Sequence, residues 1–271
     1  MWTTRYILRD VQDVVDEVKC YINRYDITAV QLYDLTAITK KKWAMAFGRA
    51  LVEAGIDLKW SFPSGTRSEA LDDETLTMLK EIGCNYLVYA PESGSRRTLE
   101  RIKKRIDLDV LTNSVLQAKR LGLVLRTNLM LGFPEETRED IFDTLRYGMK
   151  LAWSGVDEVS LNLYCAYPGT ELFRGLADKG IVTVNDQYFL ALTSMYSDYT
   201  ILNHFTTNEN LPAWELAFYR IFFMAINYFL GYIRHPARIV RTIRNILVGD
   251  RAATVLENRL QDALHRRTKP V

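Results

Sequence analysis

Apolar positions along the first 180 residues change period repeatedly, from helical spacing to short continuous runs and back. Val11, Val14, Val15, Val18, Tyr21 and Ile22 fall on one helical stripe, with Asp10 placed to cap it. Thr28–Tyr33 reads as a strand, and Lys41–Ala54 as a helix closed by Gly55. The alternation continues: strand Leu58–Phe62, helix Asp72–Ile82 closed by Gly83, strand Tyr86–Ala90, and a short helix near Arg97–Lys103. Helix Asp109–Leu121, strand Leu123–Leu131, helix Thr137–Trp153, strand Val156–Cys165 and short helix Glu171–Lys179 complete it.

One helix followed by repeated strand–helix units requires parallel strands joined by crossover helices. Units of about 30 residues suit a full or partial (β/α) barrel. A dinucleotide-binding sheet fits less well, because no GxGxxG follows a strand. A series of this kind normally opens on a strand, so a first strand and its loop are expected upstream of Met1. The expected fold is therefore α/β: residues 1–180 form a partial parallel barrel lacking its first strand, and 181–271 form an irregular segment and a helical extension. The segment 181–210 carries Tyr188, Tyr196 and Tyr199.

Composition narrows the class. The chain has 271 residues, is 48% hydrophobic and 25% charged, and carries a net charge of +2. It can bury a sizeable core, and so small a charge gives no reason to expect a nucleic-acid partner. Cys20, Cys84 and Cys165 stand alone and far apart, which excludes a disulfide scaffold and a CxxC-type zinc site. A reducing compartment fits that usage, and the N-terminus lacks the apolar core of a signal peptide. No P-loop, HExxH or GxSxG occurs; His204, His235 and His265 are scattered outside the strand–helix region.

Two segments sit where a strand gives way to a helix, the face on which ligands collect in such folds. In Tyr89-Ala-Pro-Glu-Ser-Gly-Ser95, Glu92 can accept hydrogen bonds from ribose hydroxyls or an ammonium, and Gly94 permits close backbone approach. A plain helix cap, with Ser95 as N-cap, accounts for the same residues. In Asn128-Leu-Met-Leu-Gly-Phe-Pro-Glu-Glu-Thr137, Gly132 leaves room for a flat ring, and Asn128, Met130 and Gly132 share a pleat face. Here a turn stiffened by Pro134 is the simpler account. Glu92 and Glu136 as a glycosidase pair fit less well than nucleotide contact, given their Ser-Gly and Gly-Phe-Pro settings.

Taken in order, Tyr33-Asp34-Leu-Thr, Pro63-Ser-Gly-Thr-Arg67, Ala90-Pro-Glu-Ser-Gly-Ser95, Lys103-Lys104, Asn128–Glu136 and Tyr167-Pro-Gly-Thr170 resemble the radical S-adenosylmethionine (SAM) superfamily, in its cobalamin-dependent branch. The resemblance covers residues 1 to about 180. It implies that Tyr33 and Asp34 end the strand that holds the methionyl amino group of SAM, with Ser64 and Arg67 lining the same pocket. It assigns Glu92 to the methionine or ribose part, with Ser93 beside it as a further cofactor-binding residue, Lys104 to the SAM carboxylate and Asn128 to the ribose hydroxyls. Met130, Gly132 and Glu136 fall in the segment that packs on adenine. Glu135 replaces the small glycine usual at that turn, and Cys165-Ala166 replaces a proline loop; Cys165 reads best as a buried structural thiol.

The family's CxxxCxxC loop, whose thiolates hold a [4Fe–4S] cluster, is not in this sequence, and Cys20, Cys84 and Cys165 lie on separate elements. The resemblance thus implies the SAM-binding core of a larger enzyme, with the cluster loop and a cobalamin domain upstream and a methyl transfer or related C–H chemistry on a small-molecule or lipid-like substrate. A non-catalytic binding module is the rival expectation. The tail adds a third. Arg234, Arg238, Arg241 and Arg244 recur at helical spacing opposite Ile239, Val240, Ile243, Ile246 and Leu247, after an aromatic run from Leu216. Such a helix either packs on the protein or lies on an anionic membrane; Arg220 and Asn227 argue against a span. The expected location is cytoplasmic, or peripheral at the inner membrane surface.

Overall fold

The computed structural model describes residues 7–34, 36–194 and 206–248, together with 254, 256–257, 260–261 and 264. Tyr196, Tyr199, His204 and His265 lie outside the described residues. Five strands, β1 (Ala29–Gln31), β2 (Lys59–Thr66), β3 (Cys84–Glu92), β4 (Val124–Leu131) and β5 (Glu158–Leu163), form one sheet in sequence order. The sheet is parallel. Between the strands run α2 (Lys41–Glu53), α3 (Asp73–Glu81), α4 (Arg96–Arg101), α5 (Leu108–Arg120) and α6 (Arg138–Trp153); α1 (Val11–Tyr25) precedes them. After β5 come α7 (Glu171–Asp178), α8 (Asp186–Ser194), α9 (Ala213–Arg234) and α10 (Ala237–Val248).

The chain forms two compact units, Met1–Ala90 with Asp109–Arg126, and Pro91–Leu108 with Thr127–Val271. In the first, Asp10 caps α1 by accepting from the Gln12 and Asp13 N–H groups. Phe47 meets Trp60 edge-on at 5.4 Å, and Phe62, Leu76, Leu79 and Leu111 are buried with them. Gly83 turns from α3 into β3 with φ +91°, where a Cβ would stand 2.3 Å from the Leu58 carbonyl oxygen. Only glycine satisfies both conditions. β2 runs four residues past the expected Phe62. The register jumps there: Phe62 pairs with Leu87 and Thr66 with Tyr89, so four steps on β2 match two on β3. Pro63, Ser64 and Gly65 occupy this irregularity, the setting in which a strand tolerates proline, and the Thr66 hydroxyl secures the far side by donating to Val88 O at 3.0 Å.

In the second unit the capping box of α6 joins Thr137 and Asp140. β5 is buried along its whole length, packed by α6 and α9. The stripe Leu216, Arg220, Phe223, Asn227 and Gly231 is the buried side of α9. Residues 181–210 depart from the irregular expectation, because Asp186–Ser194 is helical. The signal is local: the Asn185 side chain accepts the Tyr188 N–H at 2.9 Å, an N-terminal cap that a tyrosine count hides. Tyr188 then enters a core of Phe133, Tyr164, Ala166, Leu176 and Val182.

Candidate functional site

Within the second unit, the ends of β3 and β4 carry Glu92, Ser93, Asn128, Met130, Gly132 and Glu136. Along β4, Leu125, Thr127, Leu129 and Leu131 are buried while Asn128 and Met130 are half-buried. One pleat face is closed and the other partly open. The Tyr164 N–H donates to Leu131 O, which sets Leu163 beside Leu131. By strand alternation Asn162 and Ser160 then share the face of Met130 and Asn128. Neither was singled out from the sequence. The alternation Glu-Val-Ser-Leu-Asn-Leu of β5 is the signal that could have found them.

Glu92 ends β3 with φ +71°, a conformation uncommon outside glycine. Its carboxylate pairs with the Lys104 ammonium at 3.1 Å. Burial raises the Glu92 pKa and Lys104 opposes that rise. A carboxylate in a rarely populated backbone conformation at a strand end, paired with a half-exposed cation, is the kind of setting in which functional groups cluster. Sequence reasoning assigned Lys104 to a ligand carboxylate; in the structure its partner is Glu92.

Several neighbouring residues serve the scaffold. The Ser93 hydroxyl bonds Thr144 Oγ1 at 2.8 Å, and Ser95 caps α4 while donating to Asp140 at 2.7 Å. At Gly94 a Cβ would lie 2.5 Å from Tyr147 Cβ and 2.7 Å from Asp143 O. Its smallness admits α6, which corrects the expectation that it admits a ligand. Gly132 is corrected similarly: a Cβ there would meet Leu216 Cδ1 at 2.9 Å, so the space foreseen for a ring on that side is filled by α9.

Glu136 is fully buried. Its Oε2 accepts the Gly132 and Phe133 N–H groups at 2.8 and 3.0 Å, and Oε1 accepts the Thr98 hydroxyl at 3.1 Å. Burial pushes its pKa up to about 7 against these bonds. Its side chain shapes the turn of the segment that the resemblance placed on adenine. Asn208, which the sequence did not flag, straps the same turn by donating to Phe133 O at 2.6 Å and Glu136 O at 3.1 Å. Asp140 is buried too; desolvation would raise its pKa, but Arg97 at 2.7 Å, the Thr137 N–H and Ser95 hold it well below the usual carboxylate range.

In the first unit, Tyr33 is 71% exposed just past β1. Asp34 lines a cavity of about 270 Å³ with Val30, Leu32, Ala37, Trp43 and Trp60. Ser64 is half-buried in the β2 irregularity, and the Arg67 side chain is exposed. The cysteines do not fit a cluster. Cys20 is exposed on α1, while burial pushes the Cys84 and Cys165 thiols up to about 12 and about 11, far from the thiolate that iron requires. Among the described residues no group of three His, Cys, Asp or Glu side chains converges to hold a metal.

Comparison with known proteins assigns this parallel-stranded α/β chain to a class. The model of the radical SAM superfamily matches residues 2–148, and the chain belongs to that superfamily. It is 28% identical over 200 residues to an uncharacterized methyltransferase of Pyrococcus horikoshii, covering 73% of this chain and 42% of that one. It is 29% identical over 197 residues to the cytidylyl-2-hydroxyethylphosphonate methyltransferase of Streptomyces wedmorensis, covering 69% and 36%. The chain thus spans about two fifths of the length of these curated relatives. Among solved structures, the radical SAM methyltransferase TsrM of Kitasatospora setae, with cobalamin and a [4Fe–4S] cluster bound, matches with a TM-score of 0.55 at 18% identity, over 67% of this chain and 36% of that one. That likeness bears on the fold alone.

Proposed function

We propose that this chain is a SAM-binding core of a B12-dependent methyltransferase or a related C–H-functionalising enzyme. The observation that carries the reading is the Glu92–Lys104 pair, at a strained strand end next to the half-open face of Asn128 and Met130. Its chemistry suits SAM: a carboxylate for the α-amino group or ribose, an ammonium for the α-carboxylate, an amide for hydroxyls. Glu136, Ser93 and Asn208 hold the strand ends in place, and Gly132 and Gly94 let α9 and α6 close behind them. Tyr33, Asp34, Ser64 and Arg67 are proposed as further SAM contacts from the family resemblance. SAM, when bound beside a reduced cluster, supplies radical chemistry; the residues named here bind and orient it and shield it from water. The methyltransferase relatives support methyl transfer to a small molecule as its reaction.

Calorimetric titration with SAM and with S-adenosylhomocysteine tests the reading. Saturable binding is expected, weakened about tenfold or more by Glu92→Ala and by Lys104→Ala, the loss of one charge-assisted hydrogen bond apiece. Absence of saturation, or affinities indifferent to both changes, refutes it. A second reading, a binding module without redox chemistry of its own, is favoured by the separated cysteines and high thiol pKa values.

A further inference from the structure

Helix α9 is apolar on two opposite faces, and the fold uses only one. Its inner stripe packs on β5 and α6 and is locked by polar bonds: Arg138 grips Glu215 through two contacts of 2.7 Å, and Asn227 donates to Val159 O at 3.3 Å. The outer stripe is Trp214, Phe218, Ile221, Phe222, Phe229 and Ile233, each more than half exposed. They fall at helical spacing, with the exposed Ala225 filling the step between Phe222 and Phe229, so they lie on one face. Helix α10 repeats the arrangement. Arg238 and Thr242 are buried, Arg238 donating to Val156 O at 2.9 Å, while Ile239, Val240, Ile243 and Leu247 are 46–79% exposed. Both helices thus anchor on the β5 segment and turn their apolar bands away from it.

Scattered apolar residues on a surface need no explanation, but bands of large exposed side chains on two successive helices do. Charge indicates the occupant. Within 213–248 the cations are Arg220, Arg234, Arg238, Arg241 and Arg244, of which Arg220 and Arg238 are buried, Arg241 is paired with Asp157, and Arg234 and Arg244 are exposed. Within 213–248 the one acid is Glu215, and it is buried against Arg138. The exposed charges flanking the bands are Arg234, whose guanidinium lies 5.6 Å over the Trp153 ring, and Arg244. A protein partner or second copy with a purely apolar face gains nothing from this excess; an anionic lipid surface takes both the aromatic band and the arginines.

We infer that α9 and α10 dock this chain, lying flat, on an anionic membrane surface. By length and composition α9 is long and apolar enough to cross a bilayer. Crossing, however, would strip Glu215, Arg220 and Asn227 from their protein surroundings, a cost that lying flat avoids.

Co-sedimentation of the full chain with phosphatidylcholine vesicles, with and without phosphatidylglycerol, tests the inference. Binding is expected with phosphatidylglycerol, weakening as salt rises. The double variant Phe218→Ser/Phe222→Ser is expected to lower partitioning by about tenfold or more, since two large side chains no longer leave water. Arg234→Glu/Arg244→Glu is expected to lower it on anionic vesicles alone. Both pairs are exposed, so melting temperature and circular dichroism should hold. As a measurement independent of those variants, brominated lipid should quench the unmodified chain's tryptophan fluorescence, and Trp214→Phe should abolish most of that quenching. Failure to sediment, equal binding to both vesicle types, or no quenching overturns the inference. So does a concentration-dependent dimer that the Phe218/Phe222 variant dissociates without any lipid effect, which would make a second copy the occupant.

Discussion

Glu136 is the residue on which the β4 turn depends. Replacing it with Ala leaves the buried N–H groups of Gly132 and Phe133 without an acceptor, at a cost of about 3 kcal/mol. Gln keeps an acceptor in place and should cost far less; chemical denaturation compares the two. The carboxyl also sets a pH slope. Folded, it holds its proton up to about pH 7; unfolded, it loses it near ~4.3. Between those values the folded chain binds more protons, so this group makes stability decline as pH rises from about 4 to about 7. Glu136→Gln should remove that component. Asp140 works oppositely: its depressed pKa lends stability above the unfolded value of ~4, lost as the solution is acidified. Directly before Glu136, Glu135 has φ +64°. The resemblance marked it as standing where a glycine is usual, and its backbone keeps the glycine's conformation. Glu135→Gly should therefore stabilise the chain by about 1 kcal/mol by relieving left-handed strain, read as a raised melting temperature; an unchanged or lowered value would place the strain elsewhere. Glu92 and Lys104 were legible from the chain as ligand candidates, but their mutual pairing was not, because twelve residues and a helix separate them.

At the level of elements, the helices and strands follow from periodicity and from their caps: Asp10, Ser95 and the glycines after α2, α3, α5 and α6 stand where the pattern puts them. α8 was missed although its cap is local, Asn185 accepting the Tyr188 N–H. β2 was misjudged because its signal depends on a partner: it extends through a proline because Thr66 finds Val88. The inner face of α9 is a tertiary contact of the same kind. Leu216 fills the space above Gly132, and Leu216→Ala should cost about 3 kcal/mol through lost burial and the cavity left behind. Equilibrium unfolding measures it; a change below about 1 kcal/mol would mean the helix settles to fill the gap.

For the molecule as a whole, anaerobic reconstitution with iron and sulfide checks the reading of the cysteines. This chain alone is expected to retain no stoichiometric cluster, and four irons per chain would show that Cys20, Cys84 and Cys165 converge after all. The order of strands and helices, the parallel sheet and the family were written in the sequence, because hydrophobic period and turn chemistry are local quantities that the chain carries with it. That Gly94 and Gly132 face helices, that Glu136 points into its own turn, and which side of α9 remains uncovered were decided only by tertiary packing. Those outcomes depend on atoms far apart in sequence competing for the same few ångströms, and no pattern along the chain records that competition.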